Sequence, residues 1–275
     1  RILGRINFVS DESCMAFMLV AFSQILKSCS IWMQKSVKPV RDSNKTLADP
    51  VTAFMRQLKS MMKGNAAFYK LVGLEKTENL RQWRTVECQD ARSLPIESNS
   101  AGLVVTSPPY VTSYEYADLH QLPALWLSYC DSLPEFRQRF IGSAHSKRDV
   151  GDLGSQSAEA ICHELGNGQK GREVRNYFAD MFECFCEMRR ALRPGGKACF
   201  VIGNTELQGV KIHNAEVFVE QMESMGFKQH RIIKREIPSK VLPQTRDADS
   251  GRFTSASNGN KVHAYPTEYI LVMEK

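Results

Sequence analysis

From residue 84 onward, short apolar runs alternate with amphipathic helical patterns. Five runs have the length of strands, at residues 84–90, 101–107, 197–204, 230–238 and 268–275. Helical patterns over 172–194 and 214–227 lie between them. Alternating strands and helices predict an α/β fold, a doubly wound sheet with mostly parallel strands. The last two runs are joined by a polar stretch without helical periodicity, so we expect the last strand to be antiparallel.

The first 83 residues have a different pattern and predict a helical segment. Apolar spacing predicts helices over 11–36 and 50–72, with Ser10 or Asp11 as a candidate N-cap of the first. Residues 14–33 are long enough to cross a membrane, but polar side chains at 23, 24, 27 and 28 interrupt them. We therefore divide the chain into a helical segment, 1–83, and a core, 84–275, in which the Gly- and Ser-rich residues 143–172 are a loop or insertion.

Composition excludes several classes of protein. Apolar residues make up 43% and charged residues 24%, which is typical of a globular chain rather than a disordered one. The eight cysteines form no C-x-x-C pair, so they predict reduced thiols and neither a disulfide framework nor a zinc site. We expect a cytoplasmic protein without a metal. The net charge of +6 is compatible with a phosphate-bearing partner but does not establish one.

The second apolar run ends abruptly in Ser107-Pro108-Pro109-Tyr110. Two prolines cannot continue a strand, because neither offers a backbone N–H to the ladder. Ligands of an open α/β sheet bind outside the carboxyl ends of its strands, so Asp90, Ser107 and Asn204 should meet at one rim. Acceptor oxygens beside an aromatic ring suit a flat heterocycle with an exocyclic amino group.

The surroundings of this tetrapeptide make the pattern specific. The chain reads QDARSLP before the strand, TSPPY at its end, and LRPGGKACFVIGN one helix later. This order resembles that of the S-adenosylmethionine-dependent DNA amino-methyltransferases, whose catalytic motif is Asp/Asn/Ser-Pro-Pro-aromatic. A serine in the first position resembles the N4-cytosine branch. The resemblance covers about residues 84–275 and implies a Rossmann-like methyltransferase sheet, S-adenosylmethionine as cofactor, DNA as substrate and a restriction-type role.

The resemblance also implies roles for individual residues. Ser107 and the Pro108 carbonyl would align the amino group of a flipped base, and Pro109 and Tyr110 would complete the catalytic loop. The expected cofactor-binding residues are Asp90, Ala91, Thr106 and Asn204. The expected phosphate contacts lie in the segment before the last strand, at Lys240, Arg246 and Arg252.

One part of the family pattern is missing, the glycine-rich cofactor loop after the first strand. The only G-x-G-x-x-G match, residues 166–171, does not follow a strand and is interpreted as a surface loop. The sequence also begins without methionine. We therefore expect a second polypeptide or an upstream segment to supply the loop.

Alternative interpretations remain at this stage. An N6-adenine methyltransferase, an RNA methyltransferase and a non-catalytic nucleic-acid-binding subunit with the same fold are each compatible with the pattern. Taken alone, the Ser-Pro-Pro-Tyr segment could be a turn that ends a strand, and Asp90 an Asx-turn residue. The basic residues could be ordinary solvated charges.

Overall fold

The structure is a computed structural model. It describes residues 1–34, 36, 39–73, 82–111, 116–143, 145–146, 149–237, 245–247, 254–255, 257–263 and 267–275. The helices are α1 (Ile2–Ile6), α2 (Glu12–Ile25), α3 (Pro50–Val72), α4 (Tyr116–Trp126), α5 (Leu133–Gln138), α6 (Gln156–Leu165), α7 (Gln169–Ala191) and α8 (Asn214–Ser224). The strands are β1 (Ala101–Thr106), β2 (Leu192–Ile202), β3 (Thr205–Leu207), β4 (Val210–Ile212), β5 (Lys228–Glu236), β6 (Thr245–Asp247), β7 (Lys261–His263) and β8 (Thr267–Glu274).

Within the described residues, the main sheet has four strands in the order β1-β2-β8-β5. β1 and β2 pair in parallel, and β8 is antiparallel to both of its neighbours, β2 and β5. Three of the four strands thus run in one direction and the last strand runs in the other. The expected α/β class, a Rossmann-like sheet with an antiparallel last strand, is confirmed. Two short hairpins, β3–β4 and β6–β7, lie outside this sheet.

The central strands of the sheet, β2 and β8, are buried on one face beneath α7 and α8. The side chains of Ala198, Phe200, Ile202, Leu271 and Met273 on this face have no exposed surface. Phe200 of β2 packs edge-to-face on Phe185 of α7 and Phe218 of α8, with ring centroids 5.3 Å and 6.2 Å away. Such aromatic pairs add to the free energy of burying apolar area. This cluster fixes α7 and α8 on the sheet.

The opposite face is open at β1, where the sequence led us to expect a buried strand. The side chains of Leu103 and Val105 are 60% and 66% exposed. They share this face with Lys197 and Cys199, their partners in the β1–β2 register. The apolar content of β1 predicted the strand correctly but predicted its burial wrongly on this side. We call the surface formed by Leu103, Val105, Cys199, Val201, Ile270 and Val272 the open face.

The chain divides into two compact units. One contains residues 1–88 and 115–137, and the other contains residues 89–114 and 138–275. The first unit is helical and has its own small core around Ile6, Phe22 and Leu26. Asp11 accepts a hydrogen bond from the Cys14 amide and caps α2, which ends at Ile25, well before residue 36. No helix in the described ranges combines the length and apolarity that crossing a bilayer requires.

Two sequence expectations about the core, 84–275, were wrong. Residues 84–90 do not form a strand: the segment is exposed throughout and joins no sheet within the described ranges. Residues 143–172 contain α6 and the first turn of α7. α6 is capped by Ser155 and buries Ala158, Ile161 and Cys162, a helical spacing that the high Gly and Ser content concealed.

The G-x-G-x-x-G segment connects two helices. Gly166 ends α6 with a φ of +67°, and Gly168 is the N-cap of α7. A Cβ on Gly171 would lie 1.9 Å from the Gly166 carbonyl oxygen, so a close approach of the two backbones requires the last glycine. The glycines therefore serve a tight helix-to-helix turn, and the element before them is a helix rather than a strand.

Candidate nucleotide-binding rim

The four residues of the Ser-Pro-Pro-Tyr segment directly follow β1. Ser107 is exposed, and its hydroxyl donates a hydrogen bond to the Val201 carbonyl of β2 at 3.1 Å. A hydroxyl has one proton and two acceptor lone pairs. Because the proton is directed at Val201, the oxygen of Ser107 is left as an acceptor. An acceptor of this kind matches an incoming amino group.

The rest of the segment is held by two neighbouring elements. Pro108 is buried, and the carbonyl oxygen of Pro109 accepts a hydrogen bond from the Tyr177 hydroxyl of α7 at 2.7 Å. Tyr110 packs against the core, close to the end of β2. A Cβ on Gly203 would lie 3.3 Å from Cε2 of Tyr110, so the absent side chain makes room for the ring. We call residues 107–110 the rim loop.

Asp90 lies in a turn rather than at a strand end. Its carboxylate accepts hydrogen bonds from the backbone N–H and the guanidinium of Arg92, at 2.9 Å and 2.8 Å. These bonds lower the pKa of Asp90, so the carboxylate is ionised. Its side chain remains 49% exposed. Asp90 therefore forms an Asx-type turn and still presents a charged acceptor to solvent.

Arg92 connects this turn to α7. Its second guanidinium nitrogen donates to Asp180 at 2.8 Å, and Asp180 has only 3% of its side chain exposed. The two carboxylates raise the pKa of Arg92 above its ordinary value, first through the hydrogen bond to Asp90. Asp180 also accepts the backbone N–H of Gly142 at 2.7 Å. A single helix thus holds the Asp90 turn, residue 142 and the rim loop.

The other three expected cofactor residues have different surroundings. Ala91 packs against the core, and Thr106 pairs with Phe200 on the face that α7 and α8 cover. Asn204 accepts a hydrogen bond from the Ala215 amide at 3.0 Å and donates to Glu216 at 3.2 Å. Asn204 therefore caps the first turn of α8. Their roles in cofactor binding stay predictions.

The expected nucleic-acid contacts are mostly outside the described part of the chain. Lys240 and Arg252 lie outside the described residues. Arg246 lies in β6, where only its backbone is described. Their role in phosphate binding stays a prediction.

Sequence reasoning did not identify Arg92, Tyr177 or Asp180 as residues of this rim. One signal was available, a carboxylate inside the buried stripe of α7. Asp180 follows Tyr177 and Phe178 and precedes Met181, all of which are buried. A charged residue is rarely buried unless it is paired, so its position indicates a specific partner. The identity of that partner depends on the tertiary structure.

A second polar region of the same unit is less suited to a nucleotide. A cavity of about 740 Å³ is lined by Asp152, Glu159, Glu220 and Glu223 among others, and these negative charges are unfavourable for phosphate. Within the described ranges, no three side chains of His, Cys, Asp or Glu are grouped in a way that could hold a metal ion.

This chain is similar to a known methyltransferase over part of its length. No family model matches this chain. The type II methyltransferase M.BsoBI of Geobacillus stearothermophilus is 24% identical over 169 residues, which are 50% of this chain and 33% of that protein. The match thus spans about a third of that relative.

Solved structures of TTHA0409 from Thermus thermophilus, assigned as a DNA modification methylase, are also similar. One structure has a TM-score of 0.33 and 16% identity, covering 68% of this chain and 52% of the other. A second, complexed with S-adenosyl-L-methionine, has a TM-score of 0.33 and 18% identity, covering 68% and 54%.

Proposed function

We propose that this chain is the catalytic part of a DNA amino-methyltransferase of the restriction-modification type, with N4 of cytosine as the preferred target. The observation that carries this proposal is the rim loop, in which the acceptor oxygen of Ser107 and the ring of Tyr110 follow the same strand. The partial match to a type II methyltransferase supports the class of reaction.

The rim loop is suited to a flipped base. Ser107 accepts one N–H of the exocyclic amino group, and the Pro108 carbonyl is a second acceptor nearby in the chain. Both oxygens gain stabilising energy as the nitrogen becomes positively charged in the transition state. Tyr110 provides an aromatic surface on which a base removed from the duplex can stack.

The described residues fit one end of S-adenosylmethionine. The ionised, half-exposed carboxylate of Asp90 can accept the adenine amino group. S-adenosylmethionine, held there, would supply an electrophilic sulfonium methyl group. Ser107 and the Pro108 carbonyl would orient the amino group that accepts this methyl and would stabilise its positive charge until a proton passes to water. Thr106 faces the covered side of the sheet and Asn204 caps α8, so neither adds to the support for this part of the proposal.

The open face supports the expectation of a second polypeptide or upstream segment. A parallel pair of strands is normally covered on both faces, yet Leu103 and Val105 are mostly exposed. A segment with an apolar strand and a helix would cover them and extend the sheet beside β1. We expect calorimetry on the isolated 275 residues to show weak binding of S-adenosylmethionine. Tight binding by this chain alone would contradict the need for such a segment.

Methyl transfer from labelled S-adenosylmethionine tests the reaction. The chain, alone and with a candidate partner segment, is incubated with duplex DNA, single-stranded DNA and RNA, and the modified nucleosides are separated. N4-methylcytosine in DNA is the expected product, and Ser107→Ala should yield much less of it. N6-methyladenine or methylated RNA would establish an alternative target instead.

A non-catalytic role is the second candidate, and one observation favours it. The Asp90 carboxylate is already paired with Arg92, as expected if the turn serves only to stabilise the fold. In that case the chain binds a fluorescent DNA duplex in a salt-dependent manner but yields no methylated product with any partner.

A further inference from the structure

Tyr177 of α7 contacts the backbone of the rim loop. Its hydroxyl donates to the Pro109 carbonyl at 2.7 Å, across 68 positions of sequence, and the residue is only 2% exposed. Burying a hydroxyl without a hydrogen-bond partner costs free energy. The hydrogen bond between the Tyr177 hydroxyl and the Pro109 carbonyl is therefore strongly favoured. The hydroxyl of Tyr177 therefore fixes one atom of the rim loop to α7.

The ring of Tyr177 has little room to move. It lies stacked near Phe218, with centroids 6.4 Å apart and planes 23° apart, and it is tilted against Phe178 at 5.5 Å. Gly142 closes the other side, since a Cβ there would lie 2.9 Å from Cβ of Tyr177. Interiors this closely packed keep side chains in one rotamer. The donor is therefore held at a fixed position.

The same part of α7 also holds the neighbouring segments. Asn176 donates to the carbonyl oxygens of Ser143 and Ser146, both at 3.1 Å. Asp180 binds Arg92 and the Gly142 amide. These contacts fix the segments around Tyr177 to the same part of α7.

We propose that Tyr177 is a positioning residue that sets the rim loop for the base amino group. By holding the Pro109 carbonyl it fixes the peptide that leads into Tyr110, and with it the positions of the Ser107 oxygen and the Pro108 carbonyl just before it. This proposal rests on the proposed methyl transfer. Tyr177 touches no reacting atom and acts through the backbone of Pro109.

Tyr177→Phe tests the proposal, because it removes the hydroxyl and keeps the ring. We expect kcat for methyl transfer to fall about 10- to 100-fold, the scale for a slightly misplaced reacting group, with little change in KM for DNA. Tyr69→Phe on α3, at a tyrosine 49% exposed, is the matched control and should keep the wild-type kcat. Both variants are compared per folded molecule, with the melting temperature measured alongside.

Two further readouts distinguish positioning from a general structural effect. The loss from Tyr177→Phe should not add to the loss from Ser107→Ala in the double variant, because both act on one loop. Amide hydrogen exchange at Tyr110 and Val111 should become about tenfold faster in Tyr177→Phe and stay unchanged in Tyr69→Phe. A merely structural role would lower the melting temperature and leave kcat per folded molecule intact.

The outcomes separate this proposal from the proposed function. An active wild-type enzyme whose Tyr177→Phe variant has normal kcat, or whose effects add fully with Ser107→Ala, overturns the positioning role alone. A wild-type chain that methylates nothing, with every partner tested, overturns the proposed function. Exchange at Tyr110 and Val111 then still decides whether Tyr177 holds the loop, and unchanged exchange would show that it does not.

Discussion

The two faces of the sheet are built from the same strands but differ in what covers them. Alternate residues of β1 and β2 point to opposite sides, so Val104 and Ala198 share the covered face while Val105 and Cys199 share the open one. Two helices of the same chain pack on the covered face: α7, which precedes β2, and α8, which precedes β5. The apolar side chains of a strand therefore do not show by themselves which of its two faces other parts of the chain cover.

The largest difference should appear in stability. Phe200→Ala on the covered face should lower the free energy of unfolding by about 3–5 kcal/mol, because it leaves a cavity between Phe185 and Phe218. Val105→Ala on the open face should change it by no more than about 0.5 kcal/mol in the isolated chain. Chemical denaturation of both variants measures the contrast. Equal losses would show that the open face is buried in solution.

The rim loop follows β1, beyond the point where both faces of the sheet end. A substitution there should have a different effect from a substitution on either face. Ser107→Ala should lower kcat about 100-fold, since an interaction that strengthens in the transition state is lost. Its affinity for DNA and its unfolding free energy should stay near the wild-type values, unlike those of Phe200→Ala. Steady-state kinetics beside equilibrium binding tests this, and full turnover by the alanine variant would refute the role of Ser107.

Tyr110→Ala should have a smaller effect, on base binding. Loss of a stacking surface should weaken binding of the target base by about 1–3 kcal/mol. Tyr110→Phe retains the ring and serves as the control. Fluorescence of a duplex with 2-aminopurine at the target site reports the flipped base. A wild-type signal from Tyr110→Ala would indicate that the ring packs on the core only.

The smallest expected effect is on the pH dependence of stability, through a carboxylate of α7, one of the two helices that pack on the covered face. Glu187 of α7 accepts hydrogen bonds from Arg190 and from the Leu94 amide, and these lower its pKa to about 2. Because the folded pKa lies below the ordinary value of 4.5, this contribution to stability is present above that pH and is lost as the pH falls towards 2. Unfolding measured along this range should show a flatter decline for Glu187→Gln. An identical decline would contradict this assignment.

Much of the second unit was predictable because its signals are local. Helical spacing identified α7 and α8, and apolar runs identified β1, β2, β5 and β8. α7 ends at Ala191, three residues before the end of the helical pattern predicted over 172–194. The failures are instructive, since residues 84–90 have the composition of a strand but join no sheet in the described part of the chain, and the apolar spacing of α6 was hidden by Gly and Ser. Composition shows which residues prefer an extended conformation, whereas a β-strand also requires a neighbouring strand with which to form hydrogen bonds.

The sequence by itself determined that a strand ends at Ser107 and that two prolines and an aromatic ring follow it, because proline geometry acts on adjacent residues. It also determined the reversal of the last strand. Only the tertiary structure decided that Asn204 caps α8, that Arg92 connects Asp90 to Asp180, and that Tyr177 holds Pro109. Those contacts join residues up to 88 positions apart. Their partners are selected by the packing of α7 and α8 on the sheet, which no local pattern encodes.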